Sequence, residues 1–210
     1  MTDASYRHII FIIDRSGSIQ SVLPDMQGGY EQFVKEQAAV EGISTSASLY
    51  QFDTEHENLF SFQALHHLKA YKIVPRGGTA LLDAIGYALV TEGGKLAALR
   101  EENRPGKVIV LICTDGEENS SRKYTKAQVK AMISEQQDTY GWTFIYNGAN
   151  QDAFAEAGAM GIATCSTMGY AATPQGTAGS WASASAMVTR GAASGTYAYT
   201  GNERKAASGD

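Results

Sequence analysis

Three short polar pieces stand out against the apolar runs of this chain: Asp14-Arg-Ser16-Gly-Ser18, Gly77-Gly-Thr79 and Thr114-Asp115-Gly116. They supply two carboxylates, Asp14 and Asp115, and the hydroxyls of Ser16, Ser18 and Thr79, with no thiol and no imidazole among them. An oxygen-only set of this kind suits a small hard cation, and Mg²⁺ in particular favours near-octahedral oxygen coordination that retains some water. Short Ser and Thr side chains let the backbone wrap closely around such an ion, and Gly17, Gly77, Gly78 and Gly116 let the loops approach it. Each piece alone also fits a turn or a helix cap, because Asp, Ser and Gly serve both. The three acquire a joint meaning only if the fold brings them to one place.

The elements available to do so alternate between strand and helix. Residues 8–13 and 108–113 are short, continuous apolar runs, as in strands buried on both faces. Residues 46–52 and 59–62 read as an antiparallel hairpin joined by the polar stretch 53–58, and residues 142–146 and 162–167 complete the candidate strands. Met26, Tyr30, Phe33 and Gln37 form one helical stripe after Pro24, with Gly28-Gly29 costing about 1 kcal/mol per glycine and predicting a kink. Leu82, Ile85 and Leu89 mark a second helix ending at Gly93-Gly94. Thr125-Lys-Ala-Gln128 reads as a capping box for a third, and Asn150 is placed to cap a short alanine-rich fourth. Thr173-Pro174 opens a last helix with Trp181, Ser185 and Val188 on one side.

This order predicts an α/β fold: a doubly wound, mostly parallel six-stranded sheet with one antiparallel edge strand and helices on both faces. Ligands of such sheets bind outside the carboxyl ends of the strands, which puts Asp14 and Thr114-Asp115 on the same rim. Residues 1–192 read as a single domain that includes the C-terminal helix. Residues 193–210, rich in small and polar side chains, read as a flexible tail.

In their order and spacing the three pieces resemble the metal-ion-dependent adhesion site of von Willebrand factor A and integrin I-type domains. That motif runs Asp-x-Ser-x-Ser, then Thr, then Asp, and its five positions fall here on Asp14, Ser16, Ser18, Thr79 and Asp115. The resemblance extends over roughly residues 8–168, where the order of strands and helices also fits. It implies a Rossmann-like von Willebrand A fold and a bound Mg²⁺, with Mn²⁺ or Ca²⁺ as alternatives. It also implies that Ser16, Ser18 and Thr79 touch the metal while Asp14 and Asp115 act largely through water. Neutral hydroxyl ligands would leave the ion much of its charge, so a partner protein donating a Glu or Asp carboxylate is the implied ligand. Without signal peptide or disulfides, the chain resembles most the intracellular prokaryotic or phage members.

Composition narrows the partners. With 210 residues, 43% of them apolar, the chain suits one globular domain or a domain plus a tail. A net charge of −5 and no Lys/Arg run argue against nucleic acid and against a polybasic membrane contact. No stretch approaches the roughly 18 apolar residues of a membrane span, and the first residues lack the pattern of a signal peptide. Cys113 and Cys165 both sit in apolar or small-residue runs, as two buried thiols in a reducing compartment would. A cytoplasmic protein is the expectation; its oligomeric state is not legible.

Rival readings fit less well. A Mg²⁺-dependent phosphohydrolase could use Asp14 as nucleophile, but haloacid-dehalogenase-like enzymes carry Asp-x-Asp where this chain has Ser16. Gly-x-Ser-x-Gly, P-loop and Gly-x-Gly-x-x-Gly patterns are all missing. His8, His56, His66 and His67 lack zinc-site spacing. A structural or virion component in which the metal is incidental remains a third class. Of the other conspicuous residues, Trp142 and Trp181 read as core anchors. Arg15 and Arg76 flank the site and are candidates to steer a partner carboxylate, and Glu117-Glu118-Asn119 reads as a solvated turn on the same rim, with tuning of partner choice by repulsion of acidic surfaces as its alternative role.

Overall fold

The computed structural model describes residues 2–149 and 152–209. Its strands are β1 (Asp3–Asp14), β2 (Ser44–Phe52), β3 (His56–Ala64), β4 (Pro105–Thr114), β5 (Thr143–Ala149) and β6 (Thr167–Tyr170). They form one sheet in the order β3-β2-β1-β4-β5-β6, parallel throughout except for the antiparallel pairing of β3 with β2 at one edge. The central strands are apolar because both faces are covered. Ile9, Phe11 and Ile13 point to one core, with Met26, Phe33 and Trp181. Ile10 and Ile12 point to the other, with Ile85, Leu89, Val129 and Ile133. All five of those β1 side chains are fully buried, and each contributes roughly 1.5–3 kcal/mol.

The helices are α1 (Leu23–Ala38), α2 (Leu81–Ala98), α3 (Lys126–Tyr140), α4 (Ala153–Ala159), α5 (Pro174–Ser194) and α6 (Gly201–Ser208). The first, fifth and sixth lie over one face of the sheet, and the second, third and fourth over the other. The capping box at Thr125 and the Thr173 cap form as their sequences predict. The helix is continuous; of its two glycines Gly29 serves packing, while a Cβ on Gly28 would meet open space. A Cβ on Gly29 would lie 2.4 Å from the Trp181 ring, so its absence lets α5 close on α1.

Several boundaries differ from expectation, each for a tertiary reason. The second helix runs past Gly93-Gly94 to Ala98, because Leu96 anchors its last turn in the core and outweighs the glycine cost. The last strand is Thr167–Tyr170, since pairing with β5 begins only at Thr167; Ile162 is buried before it, ahead of a short 3₁₀ turn. The expected cap Asn150 lies outside the described residues, and the Asp152 side chain caps α4 by accepting from the Ala155 N–H. Cys113 is buried, but Cys165 is exposed, contrary to the pair of buried thiols expected; neither is bonded to the other.

The largest departure is at the C-terminus, where α6 occupies part of the expected flexible tail. Thr200 and Glu203 form a capping box, Arg190 pairs with Glu203, and Tyr199 and Ala207 are buried in the α1/α5 core. Low local hydrophobicity concealed an element held by two buried side chains and its own cap. Among the described residues no helix is long and apolar enough to cross a membrane.

Candidate metal site

Going along the chain, β2 and β3 are laid to one side of β1 and β4 to the other, so the sheet changes direction between β1 and β4. The carboxyl ends of two adjacent parallel strands open a crevice at such a point. Asp14 is the last residue of β1, and Asp115 directly follows β4. Thr79 sits in the loop entering α2. All five residues singled out by sequence are brought together here.

Asp14 is completely buried and both of its oxygens are engaged: Oδ1 accepts from the Ser16 N–H (2.7 Å) and Oδ2 from the Thr114 hydroxyl (2.6 Å). It therefore shapes the loop that carries Ser16 and Ser18. The two serine hydroxyls lie 3.0 Å apart, and Ser18 donates to Asp115 Oδ1 at 2.7 Å. The other oxygen, Asp115 Oδ2, is buried without a hydrogen-bond partner. Beside this group stands Gly116. A methyl group at that position would lie 3.1 Å from Thr79 Oγ1, 3.6 Å from Ser18 Oγ and 4.0 Å from Ser16 Oγ. The three hydroxyls thus converge on one small space beside Gly116, into which a methyl group would project.

The electrostatics are one-sided. Burial pushes the Asp14 carboxyl up to about 6, even though the bonds from Thr114 and Ser16 act against the rise, and burial likewise raises Asp115. Among the described residues no Lys, Arg or His pairs with either carboxylate. Arg15, next in sequence to Asp14, turns away to Asp53 instead (Nε to Oδ2, 2.7 Å). Two buried acids, an orphaned carboxylate oxygen and three convergent hydroxyls fit one hard divalent cation. Among the described residues no cluster of three or more His, Cys, Asp or Glu side chains offers a rival centre.

Sequence reasoning missed the residues that hold these loops in place. Asp53, buried at the end of β2, accepts from both Arg15 Nε and Arg76 Nε at 2.7 Å. Its backbone carbonyl also takes the Ala80 N–H, so the Ser16 loop and the Thr79 loop are tied to one residue. Burial alone would raise the Asp53 carboxyl. The bonds from Arg76 and the Glu55 N–H, together with the Arg15 charge, outweigh that and hold it below the usual carboxylate range. Arg15 and Arg76 are therefore spent on this clamp, Arg76 reaching Glu55 as well, and do not point a free charge at the site.

The turn after Asp115 is equally structural. Asn119 accepts from the Thr79 N–H (2.9 Å), and the Thr79 carbonyl takes the N–H groups of Asn119 and Ser120. Glu118 accepts from the Leu82 N–H at the start of α2 (2.9 Å), while Glu117 is exposed. The signal was present in the run Glu118-Asn119-Ser120-Ser121, but its partners are some forty residues away and local patterning does not reveal them.

A mostly parallel, Rossmann-like α/β sheet with a hydroxyl-and-carboxylate crevice at its switch point defines the class of protein. Within that class the chain belongs to the von Willebrand factor type A domain family, whose model matches residues 8–175. No curated protein matches the chain. Solved structures of similar fold include proximal thread matrix protein 1 from the mussel byssus, at 16% identity and a TM-score of 0.61, covering 89% of this chain and 47% of that one. A form of the same protein with a zinc-occupied MIDAS motif aligns at 17% identity and a TM-score of 0.52, covering 82% and 43%. The PilB minor pilin from Streptococcus sanguinis aligns at 12% identity and a TM-score of 0.59, covering 88% and 61%. The chain thus spans about half the length of the mussel protein and under two thirds of the pilin.

Proposed function

We propose that this domain is a divalent-metal-dependent protein-binding module, with Ser16, Ser18 and Thr79 as hydroxyl ligands of one Mg²⁺ and Asp14 and Asp115 behind them. The observation that carries the reading is the convergence of the three hydroxyls on the space beside Gly116, next to the unpartnered Asp115 Oδ2. Family membership and the metal-occupied motif of the mussel protein agree with it. A cation held by neutral hydroxyls retains charge to accept a carboxylate from a partner protein.

The chain's own residues divide the work. Asp14 fixes the loop through the Ser16 N–H and Thr114; Ser18, exposed at the mouth, leaves the space open to a partner; Asn119 holds Thr79 and Asp53 holds the neighbouring Ala80. A binding role is favoured over a phosphohydrolase that uses Asp14 as nucleophile, because both Asp14 oxygens are occupied and the side chain is fully buried.

Thermal unfolding tests the reading. Mg²⁺ at a hundredfold excess over Kd stabilises by about 2.7 kcal/mol, roughly 5–10 °C for a domain of this size. The rise should reverse with EDTA and be largely lost in Thr79→Ala. A melting temperature indifferent to Mg²⁺ and Mn²⁺ would sink the proposal.

A further inference from the structure

Beside the site runs a groove of about 750 Å³, lined by Thr54, Glu55, His56, Asp83, Asn119 and Arg122 among others. It adjoins the Thr79 loop. A Cβ on Gly78 would lie 2.6 Å from Ser120 Oγ and 2.8 Å from Asn119 Oδ1, and Asn119 itself holds the Thr79 N–H. A chain whose carboxylate reaches the Thr79 hydroxyl therefore has the groove next to it.

The charges in the groove are unequal in how they are used. The Asp83 carboxylate accepts the backbone N–H groups of Arg122, Lys123 and Tyr124, each at 2.8 Å, and Glu55 is paired with Arg76. Both acids already have hydrogen-bonding partners within the protein. The Arg122 and Lys123 side chains are exposed, and neither has a hydrogen-bond or ion-pair partner among the described residues. Their backbone is fixed by Asp83, so the two cations are presented on a rigid loop. His56 is held below its ordinary pKa by burial and then by the Lys123 ammonium, against the opposing charges of Asp83 and Glu55. In a chain of net charge −5, two exposed cations without a side-chain partner beside a carboxylate-binding site are a selective feature.

We infer that the groove of Arg122 and Lys123 is a second acid-binding subsite, so the partner segment is an acidic one: one carboxylate at the cation and a further Glu or Asp downstream in the groove. This rests on the cation-bridge reading and names the partner chemistry it would select.

The test is a nitrogen-15 NMR titration of the full chain in Mg²⁺ with two acetylated Gly/Ser peptides, one carrying a single Glu and the other a second Glu further along. The two-acid peptide should bind about three- to tenfold tighter, the yield of one or two partly exposed ion pairs, and only it should shift the amides of residues 119–123. Raising the salt concentration should shrink the gain. The double substitution Arg122→Ser with Lys123→Ser keeps the backbone N–H groups that Asp83 needs. It should erase the gain while leaving Mg²⁺ affinity and one-acid binding unchanged. Equal affinities for the two peptides, or a gain that survives the double substitution, overturn the subsite and leave the cation bridge standing. No Mg²⁺-dependent binding of either peptide overturns both.

Discussion

Asp14 and Asp115 look alike in the sequence, but the structure uses them differently. Asp14 has no exposed surface and no free oxygen; Asp115 keeps one buried oxygen without a partner, while its other oxygen accepts from Ser18. Gly116 is the residue that keeps this arrangement usable. Its backbone is not in the left-handed region, so alanine is tolerated locally, but the added methyl would sit 3.1 Å from the Thr79 hydroxyl inside the shared space. We predict that Gly116→Ala folds with a metal-free melting temperature within a few degrees of the parent and loses the Mg²⁺-induced rise. Melting curves with Mg²⁺ and with EDTA check this; an undiminished rise would mean that the cation sits elsewhere. The five motif residues were legible because each lies within a few positions of a strand or helix end that hydrophobic patterning marks. Asp53 was not. Nothing local distinguishes it from any turn aspartate, and its role exists only once Arg15 and Arg76 arrive from distant segments.

At the scale of elements, the start of α2 explains why the turn after β4 is built as it is. Its N-cap is Ala80, which has no side chain to accept from the free N–H groups of the first turn. Glu118 accepts from the Leu82 N–H and Ser121 from the Asp83 N–H, so the helix is capped from another loop. The same loop holds Thr79 through Asn119, which couples helix capping to the geometry of the site. Glu118→Ala should cost about 1–2 kcal/mol, the range of a lost cap, and lower the melting temperature by roughly 2–8 °C. Amide exchange at Leu82 should accelerate and Mg²⁺ affinity should fall. Unchanged exchange at Leu82 would show that the helix start does not depend on this contact. Caps written in adjacent residues, as at Thr125 and Thr173, are readable from sequence; a cap supplied from 36 positions away is not. For the same reason the C-terminal helix escaped notice: its anchors, Tyr199 and Ala207, matter through the core they enter.

For the molecule as a whole, the architecture followed from the apolar strands, since runs such as residues 8–13 and 108–113 are stable only with both sheet faces covered. This also sets what the metal is needed for. Two separate cores, one on each face, carry the fold, and the site residues sit at the rim, outside both. The domain should therefore fold without its cation, unlike small modules whose metal supplies the folding energy. The double substitution Ser16→Ala with Ser18→Ala removes two of the hydroxyls. It loses the bond from Ser18 to Asp115 Oδ1, a loss of about 1 kcal/mol. Far-UV circular dichroism and cooperative unfolding in EDTA should be nearly those of the parent, and the Mg²⁺-induced rise in melting temperature should vanish. Ile12→Ala, in the middle of β1 and fully buried, should do the reverse: destabilise by about 2–5 kcal/mol and retain a Mg²⁺-dependent rise in whatever remains folded. If the serine pair instead unfolds or aggregates the protein, the hydroxyls belong to the framework and the separation between core and site fails. If Ile12→Ala abolishes the Mg²⁺ response while the domain stays folded, the central strand positions Asp14 more directly than its place in the core implies.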